Sequence, residues 1–245
     1  MNVLCVIPAR YASSRLPGKP LADIAGKPMI QWVYEQASKA KRPQETIVAT
    51  DNQRVFAAVD GFGGRVIMTR ADHQSGTDRL AEVARKYPLV DLIVNVQGDE
   101  PLIPPEIIDL LVSAFDDEKD ISMATLKCIM PESEYSNPAA VKVVTDANNN
   151  ALYFSRAQIP YLRNNTGVKI YKHIGIYAYK RDFLMNFANM QPSILEQTES
   201  LEQLRALENG YKIKVLPVDY SVVGVDTPED LEKVRIILGN KQQNG

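Results

Sequence analysis

Three basic side chains gathered in one loop, and two aspartates in separate glycine-containing turns, carry the chemistry legible in this chain. The segment Pro8-Ala9-Arg10-Tyr11-Ala12-Ser13-Ser14-Arg15-Leu16-Pro17-Gly18-Lys19-Pro20 follows an apolar run and holds Arg10, Arg15 and Lys19 in a proline-stiffened loop. Arginine offers a planar fork of donors and lysine a compact point charge, so the set suits a polyphosphate. With Gly18 as its one glycine, the loop is neither a Walker loop nor a dinucleotide fingerprint. Asp99 stands in Gln97-Gly98-Asp99-Glu100-Pro101 and Asp226 in Gly224-Val225-Asp226-Thr227. Two carboxylates from separate strand ends can share Mg2+, a hard cation that keeps waters and binds phosphate oxygens. Taken singly, each aspartate suits a surface turn equally well.

Further candidates lie elsewhere. His73-Gln74-Ser75-Gly76-Thr77-Asp78-Arg79 is a polar turn leading into a helix. Arg156, after a run of apolar residues, can meet a carboxylate. His173 and Tyr177 are four apart on a strand and share a face; alone, His173 also reads as a structural histidine. Glu202 and Gln203 sit on a helix whose leucines face the core. There is no Gly-x-Ser-x-Gly elbow and no Cys/His nucleophile pair, which favours transfer by positioning and charge neutralisation. Cys5 and Cys128 read as buried thiols, and with His73 and His173 they lack zinc-site spacing.

The elements that must position these residues follow from apolar runs. Val3–Ile7, Thr46–Ala49, Arg65–Met68 and Leu92–Val96 read as strands. Helical patterns alternate with them: one with Pro28 in its first turn, one over Gln53–Val59, one starting at Pro104-Pro105-Glu106. That alternation predicts an α/β fold with a mainly parallel sheet flanked by helices. Ligands then sit at the carboxyl ends of strands, where the opening loop, Asp51 and Gln97–Glu100 all fall. After residue 138 the rhythm turns antiparallel: Val141–Thr145 and Ala151–Ser155 flank a polar turn, and Lys169–Tyr179 is strand-like. We therefore expect a nucleotide-binding core over 1–137 and 181–245 and a smaller lobe over 138–180. Glu199–Asn209 reads as a helix ending at Asn209-Gly210, and Thr227-Pro228-Glu229-Asp230 starts one that runs to Gly239.

The net charge of −2 over 245 residues disfavours nucleic acid as a partner. Yet residues 1–42 carry seven Lys or Arg against Asp23 and Glu35, which suits a small polyanion bound at one place. Without an apolar run near ~20 residues or a signal-type N-terminus, membrane insertion is not expected and a cytoplasmic location is.

Taken together, Pro8–Lys19, His73–Arg79, Asn95–Pro101, His173–Tyr177, Leu201–Arg205 and Gly224–Asp230 resemble, in order, the motifs of the 3-deoxy-manno-octulosonate cytidylyltransferases, or CMP-Kdo synthetases. The likeness runs from about residue 2 to 237. It implies a Rossmann-like nucleotidyltransferase fold, a homodimer built on the smaller lobe, and the reaction of CTP with Kdo to CMP-Kdo and diphosphate with Mg2+, for lipopolysaccharide biosynthesis. Pro8, Ala9, Arg10, Arg15 and Lys19 match nucleotide-binding positions at the triphosphate, and Ser75, Gly76 and Gln97 match positions around the cytidine. Asp99 and Asp226 match the metal ligands. Arg10, Lys19 and the two aspartates form the catalytic set. Arg156, His173, Tyr177, Glu202 and Gln203 match positions around the sugar acid. Ala178 stands where many members have glycine, and Arg163–Lys169 is short. The alternatives are a cytidylyltransferase for 8-amino-Kdo or a sialic acid, a glycosyltransferase, or a non-catalytic nucleotide-sugar-binding protein. The glycosyltransferase would show Asp-x-Asp where this chain has Asp99-Glu100.

Overall fold

The computed structural model describes residues 1–12, 16–73, 75–116, 120–164, 166–220 and 223–243. The chain divides into two compact units, one of residues 1–109 with 222–245 and one of 110–221.

The first unit alternates strand and helix: β1 (Val3–Ala9), a short hairpin of β2 (Asp23–Ile24) and β3 (Lys27–Pro28), α1 (Met29–Ala37), β4 (Glu45–Thr50), α2 (Gln53–Gly61), β5 (Val66–Met68), α3 (Gly76–Lys86) and β6 (Leu92–Asn95). Its strands lie in the order β6-β1-β4-β5, all parallel, with Val6 opposite both Ile47 and Asn95. β1 is buried almost throughout, as a central parallel strand covered on both faces must be. From β1 the chain builds outward to β4 and β5, then returns to lay β6 on β1's other edge. At that reversal the loops after β1 and β6 part company and leave a crevice at the strands' carboxyl ends.

Local signals start the helices. Asn52 Oδ1 accepts the Arg54 amide at 2.9 Å to cap α2, and Ser75 and Asp78 form a reciprocal capping box on α3. Pro28 falls one residue earlier than its expected place: it is the extended N-cap of α1, and the helix begins at Met29.

A further helix, α4 (Pro105–Ser113), spans the division between the units, and the last, α8 (Pro228–Gln243), continues past the predicted stop at Gly239. One face of α8 buries Leu231, Val234 and Leu238 against Ile24, Met29 and Val225. Each fully buried side chain of this kind contributes roughly 1.5–3 kcal/mol. That cluster holds Val225, and with it the adjacent Asp226.

The second unit contains β7 (Met123–Ile129), β8 (Lys142–Thr145), β9 (Ala151–Ser155), β10 (Tyr171–Lys180), α5 (Arg181–Phe187), α6 (Ile194–Glu199), α7 (Gln203–Glu208) and β11 (Ile213–Pro217). It takes in the expected 138–180 lobe and extends beyond it, because β7 pairs antiparallel with β10 and parallel with β11. β8 and β9 form the expected hairpin, whose turn Asp146 organises by accepting the amides of Asn148 and Asn150 at 2.9 and 2.7 Å. The single helix expected over Glu199–Asn209 is two helices, broken at Ser200 in the left-handed region (φ 51°).

Candidate active site

In the first unit, Pro8, Ala9, Arg10, Lys19, Gly76, Gln97, Asp99 and Asp226 line one cavity of about 420 Å3. Lys19 is brought there by Gly18, whose left-handed backbone (φ 70°) starts the short turn Lys19–Leu21. The Lys19 ammonium lies 2.5 Å from Asp99 Oδ2 and 3.0 Å from Asp226 Oδ1. The backbone ties the two aspartates together as well, since the Val225 amide donates to the Asp99 carbonyl at 2.9 Å. Gly98 is required by close approach: a Cβ there would lie 2.8 Å from the Pro8 carbonyl oxygen. Arg10 Nη2 is buried with no hydrogen-bond partner among the described residues, an orphan donor in the wall of the cavity. Ser75 caps the helix that presents Gly76. Arg15 lies outside the described residues, as does Gln74 of the polar turn.

Polar groups in the same turns as the lining residues, quoted above only as parts of motifs, have partners of their own. Arg79 is fully buried; it donates to Asp51 at 2.6 Å and to the Thr69 hydroxyl, pinning α3 to the ends of β4 and β5. His73 Nε2 is 2.6 Å from Glu82 Oε2. Glu100 is 6% exposed, and burial, followed by the adjacent Asp99 charge, pushes its carboxyl up to about 8. Cys5 is inert as expected, its thiol pushed by burial up to about 12.

Among the described residues no group of three or more His, Cys, Asp or Glu is placed to hold a metal ion. The pair Asp99 and Asp226 suits a cation that takes one or two carboxylates and completes its shell with water and phosphate. The Lys19 ammonium between them shows that the pair accepts positive charge.

In the second unit, His173 and Tyr177 meet, their rings 5.5 Å apart, with Phe154 edge-on to His173 at 4.9 Å. Thr125 Oγ1 lies 2.9 Å from the carbonyls of Ile174 and Ile176 and 3.0 Å from His173 Nε2. Carbonyls only accept, so the threonine proton goes to one of them and His173 donates from Nε2. Nδ1 is then the acceptor, and burial keeps the ring neutral by lowering its pKa to about 3. Burial, with the Glu202 charge second, raises the Tyr177 phenol. Gln203 is 5% exposed and its Nε2 has no hydrogen-bond partner among the described residues. Arg156 uses three of its donors on the carbonyls of Pro138, Glu199 and Ser200. A guanidinium has five N–H groups, so two remain for a ligand.

A model of the family described as cytidylyltransferase matches residues 4–213. The chain belongs to the cytidylyltransferase family. A 3-deoxy-manno-octulosonate cytidylyltransferase of Geobacter sulfurreducens is 52% identical over 246 residues, covering 96% of this chain and 98% of that one. The protein of the same name from Photobacterium profundum is 54% identical over 250 residues, covering 98% of this chain and all of its own. A solved structure of CMP:2-keto-3-deoxy-manno-octonic acid synthetase complexed with CTP matches with a TM-score of 0.95 and 49% identity, over 98% of this chain and 100% of that one. Within the family the chain thus falls among the 3-deoxy-manno-octulosonate cytidylyltransferases, and it has the Rossmann-like nucleotidyltransferase fold the motifs implied.

Proposed function

We propose that this protein transfers CMP from CTP to 3-deoxy-D-manno-octulosonate (Kdo), giving CMP-Kdo and diphosphate for lipopolysaccharide biosynthesis. The observation that carries the reading is the Lys19 ammonium forked between Asp99 and Asp226 beside the orphaned Arg10 donor, in a cavity of about 420 Å3. The similarity to a synthetase solved with CTP supports the nucleotide.

The anomeric hydroxyl oxygen of Kdo attacks the α-phosphorus of CTP in line. The new O–P bond forms as the bond to the bridging oxygen breaks; diphosphate leaves with the electron pair and the hydroxyl proton passes to water. CTP carries about four negative charges that repel the incoming oxygen unless offset. Arg10, Arg15 and Lys19 bind the phosphates and stabilise charge growing on the leaving diphosphate. Asp99 and Asp226 would hold a divalent cation, for which we propose Mg2+. When bound, it neutralises phosphate charge and lowers the pKa of the attacking hydroxyl. Pro8, Ala9, Ser75, Gly76 and Gln97 surround the nucleotide. On the second unit, the two remaining donors of Arg156 take the sugar carboxylate, and His173 Nδ1, Tyr177, Glu202 and Gln203 take its hydroxyls.

The second unit, with 138–180 inside it, is proposed to carry the dimer interface. It exposes Ile129, Leu152, Tyr161 and Ile194, apolar side chains a partner copy would cover. No helix among the described residues is long and apolar enough to cross a membrane, consistent with the cytoplasmic location we propose.

A diphosphate-release assay with CTP or UTP against a panel of sugar acids tests the reaction. Release with CTP and Kdo alone, abolished by EDTA and restored by Mg2+, is expected. Release with a sialic acid in place of Kdo overturns the substrate, and release that persists in EDTA overturns the cation. Light scattering on the purified chain tests the dimer.

A further inference from the structure

Arg156 and Glu199 grip each other from both ends. The Glu199 carboxylate accepts the Ser155 hydroxyl at 2.6 Å through Oε1 and the Arg156 amide at 2.9 Å through Oε2. In return, Arg156 Nε donates to the Glu199 carbonyl at 2.7 Å and Nη2 to the Ser200 carbonyl at 3.3 Å. The Arg156 carbonyl is itself held by Lys142, a fully buried residue whose Nζ donates to it at 3.1 Å and to the Asn137 carbonyl at 2.8 Å. Backbone and side chain of both residues are therefore committed to one another.

The clasp sits where β9 and α6 both end. Ser200 there has a left-handed backbone (φ 51°, ψ 50°), which costs a non-glycine residue about 1–2 kcal/mol. Such a conformation persists when its surroundings over-determine it. Here Arg156 takes the Ser200 carbonyl, and the Leu201 amide folds back onto the Glu196 carbonyl at 3.1 Å. Beyond the kink, Leu201 is buried, and Glu202 and Gln203 open the next helix. At its other end the clasp holds Ser155, next to Phe154, which packs edge-on against His173. One pair of residues thus ties the His173 and Tyr177 side of the cluster to the Glu202 and Gln203 side, and aims the two spare donors of Arg156.

We propose that Glu199 is a positioning residue for the sugar acid: its clasp with Arg156 sets the kink at Ser200 and so the placement of Glu202 and Gln203 relative to His173 and Tyr177. The proposal rests on the assignment of those residues to the sugar acid made above.

Steady-state diphosphate release by the full chain tests it, with CTP and Kdo each varied and the melting temperature recorded. Glu199→Ala is expected to raise KM for Kdo about tenfold, the equivalent of one charge-assisted hydrogen bond. KM for CTP and kcat are expected to stay within about twofold, since the nucleotide cavity belongs to other residues. Glu199→Gln keeps one acceptor oxygen of two and is expected to fall between wild type and alanine. Should Glu199→Ala fail to fold, Ser155→Ala removes the Oε1 contact and the bond from the Ala157 amide, leaves the contacts between Glu199 and Arg156 in place, and decides the matter by a smaller rise in the Kdo KM. An unchanged Kdo KM, or equal rises for both substrates, overturns the proposal. Absence of release by the wild type with CTP and Kdo overturns instead the function on which it rests.

Discussion

The ammonium of Lys19 lies 3.0 Å from the carboxylate of Asp226, 207 positions further along the chain, and 2.5 Å from that of Asp99. Lys19→Ala removes the charge that both aspartates share and one cation from the phosphate site. We expect kcat/KM to fall by more than ~30-fold, a loss of more than ~2 kcal/mol of transition-state stabilisation, by analogy with the loss of one oxyanion donor. Diphosphate release under subsaturating CTP measures it; an unchanged value contradicts the role.

Asp99→Asn keeps the shape of the side chain and removes its charge. Turnover should be nearly abolished while the melting temperature and far-ultraviolet circular dichroism stay those of the wild type. Near-normal release at saturating Mg2+ would rule out Asp99 as a metal ligand.

Gly98→Ala introduces a Cβ 2.8 Å from the Pro8 carbonyl oxygen, a backbone atom at the mouth of the cavity. Either β1 or the Gly98 turn must yield. Destabilisation by about 1–3 kcal/mol is expected in urea denaturation, as for other overpacked sites, together with weaker CTP binding by calorimetry.

His173 gives the fold a pH dependence of definite sign. In the unfolded chain it protonates near its ordinary 6.5; in the native state burial holds it neutral down to about 3. Below pH 6.5 the unfolded state therefore binds the extra proton, and stability falls as pH falls, at up to ~1.4 kcal/mol per pH unit from this group. His173→Gln keeps a donor for Thr125 but cannot take up that proton. Denaturation midpoints between pH 4 and 7 should show a shallower slope for the variant, and equal slopes would contradict the assignment.

Ser200→Gly should relieve the left-handed strain at the α6–α7 kink. A gain of about 0.5–1 kcal/mol is expected in chemical denaturation, because glycine reaches φ 51° without a Cβ penalty. A loss of stability would mean that the Ser200 side chain matters more than its backbone.

That these residues would gather in one cavity was legible because they directly follow apolar runs that become parallel strands. Pro8, Ala9 and Arg10 end or follow β1, and Gln97 and Asp99 follow β6, so strand order alone gathers them. Thr227 and Asp230 likewise announced the start of α8 through their capping pattern. The surroundings of Arg156 were not legible, since its guanidinium partners are carbonyls, a group every residue supplies. The kink at Ser200 was hidden for a different reason. Leu201, Leu204 and Leu207 suggest one helix, and the six residues of α6 are too few to show a period of their own. Its local signature is the Ser193–Glu196 capping box upstream, which the leucine pattern does not include. The reach of the second unit was missed because β7 joins it only through pairing with distant strands.

Because Asp226 is 207 residues downstream of Lys19, the two meet only late in the life of a nascent chain. At roughly 5–20 residues per second, synthesis leaves the basic loop without its second carboxylate for some ten to forty seconds. Asp99 follows Lys19 by 80 residues, so for most of that interval the carboxylate missing from the cavity is that of Asp226 alone. The contact that joins Lys19 to both aspartates is thus one that only a nearly finished chain can make.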